Sequence, residues 1–148
     1  MTTPAPGLLL AAPASGSGKT TLTLALLRRL RNEGVAVASV KAGPDYIDPA
    51  FHQAASGRPC VNLDGWAMRP QTLAAALKIA GDGAELILGE GVMGLFDGAP
   101  LRDDQGLAAG STAQLAALTG WPVVLVAPRS PPWPAASPAS IPRSASPA

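Results

Sequence analysis

The chain of 148 residues has a single cysteine, a single histidine and a single tyrosine, and charged residues make up only 14% of it. One cysteine, Cys60, excludes an internal disulfide and any zinc site built on several cysteines. With 11 basic and 10 acidic residues the net charge is +1, so no field favours nucleic acid or an anionic membrane. No charged n-region leads into a long apolar h-region, and no apolar run is long enough to span a bilayer. These absences predict a cytoplasmic protein with no nucleic-acid or membrane partner. What the chain does have is apolar residues, 47% of the total, together with 16 glycines and 16 prolines. At this length one domain with a sizeable core is expected.

The stretch Gly7 to Thr21 organises the rest. An apolar run, Leu8 to Ala12, reads as a buried strand and leads into a glycine-bearing loop. A helix then opens at Lys19-Thr20. This is the context that a phosphate-binding loop requires. Gly16 and Gly18 let the backbone turn so that several N–H groups converge, and the helix adds its unpaired N-terminal donors and dipole. Gly16, Ser17, Gly18, Lys19, Thr20 and Thr21 form the candidate nucleotide site. Lys19 would reach the β- and γ-phosphates, and the Thr20 hydroxyl would sit on Mg2+. The usual pattern G-x-x-x-x-G-K-[ST] is kept except that Pro13 stands where a glycine is expected.

The first helix is expected over Lys19–Glu33, with Leu22, Leu26, Leu27 and Leu30 forming an apolar face and Gly34 ending it. Arg28, Arg29 and Arg31 then suit a solvated C-terminal end. Val35 to Val40 reads as a second strand, ending in Lys41-Ala-Gly-Pro-Asp-Tyr-Ile-Asp-Pro49. Lys41 would meet phosphate there, while Asp45 and Asp48 would hold Mg2+ directly or through water. Turn chemistry is the alternative for these aspartates, since Asp48 before Pro49 also suits a helix N-cap. A short helix from Pro49 to Ser56 carries His52, read as structural or exposed. Cys60 has no neighbouring base in sequence, which argues against a nucleophile. Residues 62–68 read as a loop whose Trp66 and Met68 pack on the domain.

An alanine-rich helix follows from Gln71 to Ala80, and then a third strand over Leu86–Leu88. Glu90 at its end is the candidate to polarise Mg2+ or a water on it. Gly89, Gly91, Gly94 and Gly98 would let backbone approach a ligand, and Asp97 is either a second acid of the site or a turn residue. A helix over Thr112–Leu118, capped by Ser111 or Thr112, precedes a fourth strand at Val123–Val126. Alternating strands and helices predict a parallel α/β sheet covered on both faces. The final 19 residues, Ser130 to Ala148, contain six prolines, five serines and five alanines, a composition that cannot bury a core. The expected organisation is one folded domain over 1–128 and a disordered tail over 129–148.

Five stretches carry a resemblance to the cobyrinic acid a,c-diamide synthase family, which includes the hydrogenobyrinic acid form. They are residues 12–21, 41–49 (Lys-Ala-Gly-Pro-Asp-Tyr-Ile-Asp-Pro), 62–66 (Asn-Leu-Asp-Gly-Trp), 90–98 (Glu-Gly-Val-Met-Gly-Leu-Phe-Asp-Gly) and 110–116 (Gly-Ser-Thr-Ala-Gln-Leu-Ala). The resemblance covers Gly7 to about Val126. It implies a P-loop, dethiobiotin-synthetase-like fold, a mostly parallel sheet flanked by helices and incomplete at its C-terminal end. It also implies ATP- and Mg2+-dependent amidation of a corrinoid, cobyrinic or hydrogenobyrinic acid, in cobalamin synthesis, with glutamine or ammonia as nitrogen donor. ATP would phosphorylate a side-chain carboxylate, and ammonia would displace the phosphate. Carried over by position, Gly16 to Thr21 would bind nucleotide, and Thr20, Asp48 and Glu90 would handle Mg2+. Asp45, Tyr46 and Asp97 would meet the corrinoid or the transferred phosphate.

The family's separate glutaminase domain, with its cysteine nucleophile and histidine base, has no counterpart here, and Cys60 does not replace it. The switch to Pro/Ser/Ala sequence after Val126 is expected to reflect a frameshift or truncation. An ATP switch of the partition or septum-site type is the competing reading. Those proteins usually carry a further lysine where this chain has Ala14, and no basic or amphipathic surface segment is evident. An inactive fragment is the third reading, and a homodimer is among the assembly states left open, as is the presence of cobalt in the substrate.

Overall fold

The computed structural model describes residues 5–127. The domain boundary expected at 128 and the tail expected over 129–148 lie outside the described residues. The elements run β1 (Gly7–Ala11), α1 (Lys19–Asn32), β2 (Val37–Ala42), α2 (Asp48–Ser56), β3 (Cys60–Leu63), α3 (Pro70–Gly81), β4 (Leu86–Glu90), α4 (Thr112–Thr119) and β5 (Val123–Leu125). The strands form one parallel sheet in the order β3-β2-β4-β1-β5. This is the parallel α/β architecture expected from the alternation of elements. No helix of the described residues is long and apolar enough to cross a membrane.

Alternation along each strand divides the core in two. Leu9, Ala38, Val40, Ile87 and Leu63 point to one face, where Leu73, Ala76 and Ala80 of α3 and Leu115 of α4 cover them. Leu10, Val37 and Leu88 point to the other, against Leu27 of α1 and Ala55 of α2. Both faces are buried, which explains why β1 and β4 read as continuous apolar runs.

Several expectations are corrected. The sheet has five strands among the described residues, because Cys60–Leu63 pairs with β2, where no strand is expected and the expected loop begins at Asn62. That strand is only four residues long and carries Asn62, so no periodicity marks it. β2 starts at Val37 and runs through Ala42, which places Lys41 within the sheet. Val35 instead closes the turn after α1, its N–H bonded to the Leu30 carbonyl. On α1 the deepest positions are Lys19, Thr23 and Leu27, while Leu22 is exposed and Leu26 and Leu30 are half-buried. The buried stripe is thus displaced from the leucine spacing, since the helix start is turned toward the sheet's carboxyl end. Trp66 and Met68 part company: Met68 packs on the core while Trp66 is largely exposed.

Leu9 has no exposed surface and sits on β1, an interior strand between β4 and β5. Leu9→Ala should therefore lower stability by about 2–5 kcal/mol. Urea denaturation should show a lower midpoint with an unchanged slope.

Candidate functional site

The site forms where strand alternation meets the carboxyl edge of the sheet. On β2, Lys41 follows Val37 and Ser39 onto the face covered by α1 and α2; on β4, Glu90 follows Leu88 onto the same face. The β2–β4 register puts Lys41 and Glu90 side by side, and Glu90 also stands beside Leu10 of β1. Two buried, oppositely charged residues therefore meet below the loop that follows β1.

That loop turns through left-handed glycines at 16 and 18, with φ of 77° and 86°. A Cβ at either position would meet nothing within 4 Å, so the conformation, not crowding, calls for glycine. The loop borders a cavity of about 350 Å³, which Lys19, Thr20, Thr21, Lys41, Asp48 and Glu90 also line. Lys19 Nζ donates to the Met93 carbonyl at 2.6 Å, and the Thr20 hydroxyl donates to Glu90 Oε1 at 2.6 Å. Ser17 closes the loop internally by donating to the Ala14 carbonyl. Lys41 Nζ donates to the Gly91 carbonyl at 3.2 Å and lies 3.6 Å from Asp48, 3.9 Å from Asp45 and 3.9 Å from Glu90.

The two aspartates of the β2–α2 loop have different tasks. Asp45 Oδ1 accepts from the N–H groups of Ile47 and Asp48, so Asp45 supplies the turn that Asp48 was a candidate to supply. Burial works against ionisation of Asp45, but those backbone donors and Lys41 outweigh it and lower its pKa. Asp48 is the first residue of α2 and faces the cavity; burial, then Glu90 and Asp45, raise its pKa. Tyr46 is 91% exposed and lines no part of the cavity. Asp97 Oδ2 accepts from the Gly94 N–H at 2.8 Å, closing the loop after β4, and it too is absent from the cavity wall.

Three side chains stand out only in three dimensions. His52 is fully buried, and its Nε2 lies 2.8 Å from Glu90 Oε2. Its Nδ1 lies 3.5 Å from Cys60 Sγ, so the cysteine that lacks a base in sequence has one in space. Burial alone would lower the His52 pKa, but the hydrogen bonds to Cys60 and Glu90 outweigh it and push it up to about 9. Burial likewise works to raise Glu90, and hydrogen bonds from His52 and Thr20 overcome it and keep its pKa low. Lys19 is lowered, chiefly by burial, with Glu90 opposing. Asn62 donates to the Asp45 carbonyl at 2.8 Å and anchors that loop to β3. Thr112 Oγ1 accepts from the Val92 N–H at 3.0 Å and donates to the Val92 carbonyl at 3.3 Å, fixing the loop after Glu90. As for Ser111, its Oγ caps α4 by accepting from the Gln114 N–H. Spacing could not reveal the partners that His52, Asn62 and Thr112 hold in Glu90, Asp45 and Val92, because each pair is well separated in sequence.

The donor set fits a magnesium-bound nucleotide. Two lysines and the N-terminus of α1 suit phosphate oxygens, and the Thr20 hydroxyl with Asp48 and Glu90 offers the hard oxygen donors Mg2+ prefers. Among the described residues no cluster of three or more acidic, histidine or cysteine side chains could hold a metal alone.

Parallel sheet, glycine loop and lysine-threonine helix start define a nucleotide-binding protein of the P-loop class. Residues 8–88 match the CbiA family, described as the CobQ/CobB/MinD/ParA nucleotide binding domain. The chain belongs to that family. It is 59% identical over 121 residues to the hydrogenobyrinate a,c-diamide synthase of Brucella anthropi, covering 81% of this chain and 26% of that protein. The synthase of the same name from Rhodobacter capsulatus is 59% identical over 121 residues, and that of Rhizobium meliloti 55% over 120, each covered to 27% of its length. The chain thus spans about a quarter of the length of these curated relatives.

Thr112 has no exposed surface, and replacing its hydroxyl by a methyl strips Val92 of both partners. Thr112→Val should cost about 1–3 kcal/mol. Amide exchange at Val92 and Met93 should accelerate more than exchange in β1, a pattern that hydrogen-exchange spectra would resolve.

Proposed function

We propose that the chain binds ATP with Mg2+ and serves, within a longer protein, to activate the a and c side-chain carboxylates of a corrinoid for amidation. Cobyrinic or hydrogenobyrinic acid is the acceptor, in cytoplasmic cobalamin biosynthesis. The observation that carries this reading is the convergence of Lys19, Thr20, Lys41, Asp48 and Glu90 on one cavity at the carboxyl edge of the sheet. The identity of 55–59% to hydrogenobyrinate a,c-diamide synthases supports the choice of acceptor.

The chemistry explains the need for a phosphate site. A carboxylate resists attack by ammonia because it carries negative charge and has no leaving group. Its oxygen attacks the γ-phosphorus, the bond to ADP breaks, and an acyl phosphate results. Ammonia, derived from glutamine, then attacks the acyl carbon; the C–O bond to phosphate breaks, a proton is lost, and the amide remains. Backbone N–H groups from Gly16 to Thr21 would cradle the phosphates, and Lys19 and Lys41 would offset charge on the transferred group. Mg2+, held by Thr20, Asp48 and Glu90, would neutralise phosphate charge. Asp45, Tyr46 and Asp97 would serve the acceptor side. Exposed Tyr46, Trp66, Met93 and Phe96 give that side apolar surface for a macrocycle. An adjoining cavity of about 300 Å³, with Pro44, Trp66, Val92 and Met93 in its wall, continues it.

The presence of MinD and ParA in the family description favours one alternative, an ATP-driven switch. ATP-dependent dimerisation without corrinoid would support it.

Lys19→Ala should weaken Mg·ATP binding by roughly 10–150-fold, the worth of a charge-assisted hydrogen bond, with unchanged circular dichroism. Binding retained at wild-type strength would remove the loop from the site. Glu90→Gln should weaken the Mg2+ dependence of nucleotide binding; titration with Mg2+ at fixed ATP measures it, and an unaltered curve would take Glu90 out of the metal's surroundings.

A further inference from the structure

The chain's single histidine is held at both ring nitrogens, and neither partner belongs to its own helix. A continuous line of side chains runs from Cys60 on β3, through His52 on α2 and Glu90 on β4, to Thr20 on α1. Both carboxylate oxygens of Glu90 are engaged, Oε2 by His52 and Oε1 by Thr20. Lys41, at 3.9 Å, is farther off than either.

The helix carrying His52 begins at Asp48, and the two residues lie one helical turn apart. The bond from His52 to Glu90 therefore ties the element that carries Asp48 to the strand that carries Glu90. A buried carboxylate freed on one oxygen would turn toward whatever donor is nearest, here Lys41, and would lose the orientation that faces the cavity.

We propose that His52 is a positioning residue for the divalent cation. By gripping Glu90 Oε2 it keeps Oε1 aimed at Thr20 and the cavity, and through α2 it holds Asp48 in step. Cys60 in turn fixes the ring plane. The inference rests on the metal-nucleotide reading above. Partners that orient a metal's carboxylate ligands typically change metal affinity about 10–100-fold.

The test uses the full chain and a fluorescent ATP analogue, titrated in EDTA and then over a range of Mg2+ concentrations. His52→Leu, with folding checked by circular dichroism, should bind the analogue in EDTA as the wild type does. The Mg2+ concentration giving half of the metal-dependent gain should rise about 10–100-fold. His52→Gln keeps an N–H donor near the Nε2 position and should recover most of the loss. A folded His52→Leu chain with wild-type Mg2+ dependence overturns the proposal, as does an equal loss of binding in EDTA, which marks a general structural role. Should His52→Leu fail to fold, a cycle of His52→Asn, whose shorter side chain does not reach Glu90 Oε2, with Glu90→Gln decides: no further change from His52→Asn on the Glu90→Gln background supports the proposal, and additive effects overturn it. Wild-type binding of ATP with no gain from Mg2+ overturns the proposal while leaving the phosphate loop intact. No binding of ATP in either condition removes the nucleotide reading itself, and the inference with it.

Discussion

Everything at the carboxyl edge depends on a parity constraint. Residues of one strand alternate between faces, so the charged ends of β2 and β4 can share a side only if their positions match in register. Lys41 pairs with Glu90 and both fall on the face covered by α1 and α2. A slip of one residue would turn Glu90 toward α3 and α4, among Leu9, Val40 and Ile87, where no partner for a carboxylate waits. Because both faces of the sheet are packed with apolar side chains, the cost of such a slip runs through the whole core. The hydrophobic pattern thus fixes the geometry of the charges, although no charged residue belongs to the pattern.

Burying these charges is expensive, and the cost is met by dense but loose pairing. Lys41 is nearly without solvent, yet its nearest carboxylate oxygens stand 3.6–3.9 Å away. Among the described residues its only direct bond is to the Gly91 carbonyl, at 3.2 Å. Lys19 likewise rests on a neutral carbonyl, that of Met93. Carbonyls are weaker acceptors for an ammonium than phosphate oxygens are. Both side chains are therefore held in place without being committed to an anion of the protein, which suits the phosphate-binding role proposed for them.

The sequence made the scaffold legible and left its cross-links obscure. The glycine loop, Lys19 and Thr20 declare themselves because a phosphate loop needs these residue types consecutively, between a strand and a helix. Lys41, Asp48 and Glu90 could be picked out because open sheets present ligands at strand ends, and each lies near one. β3 went unread: four residues including Asn62 show no periodicity, and only pairing with β2 makes them a strand. Asp45 and Asp48 could not be told apart as turn-former and cavity-facing acid, since both lie beside a proline in one short loop segment, Asp45 after Pro44 and Asp48 before Pro49. His52 was the least legible, because its meaning lies in Glu90, 38 residues away.

Met93 shows how closely the loop after β4 joins the two sides of the proposed site. It is the one described residue other than glycine with positive φ, at 44°. Such a backbone survives only where surroundings over-determine it. Here they do: Lys19 bonds its carbonyl, Thr112 grips Val92 before it, and the Leu95 N–H beyond it donates to the carbonyl of Ala12, just past the end of β1. The residue meanwhile borders the apolar cavity beside Trp66. The same residue therefore holds the phosphate-loop lysine through its carbonyl and lines the cavity on the proposed acceptor side. A shift of Lys19 onto phosphate would release one of the restraints on that strained backbone, so the two sides are mechanically linked through a single peptide unit.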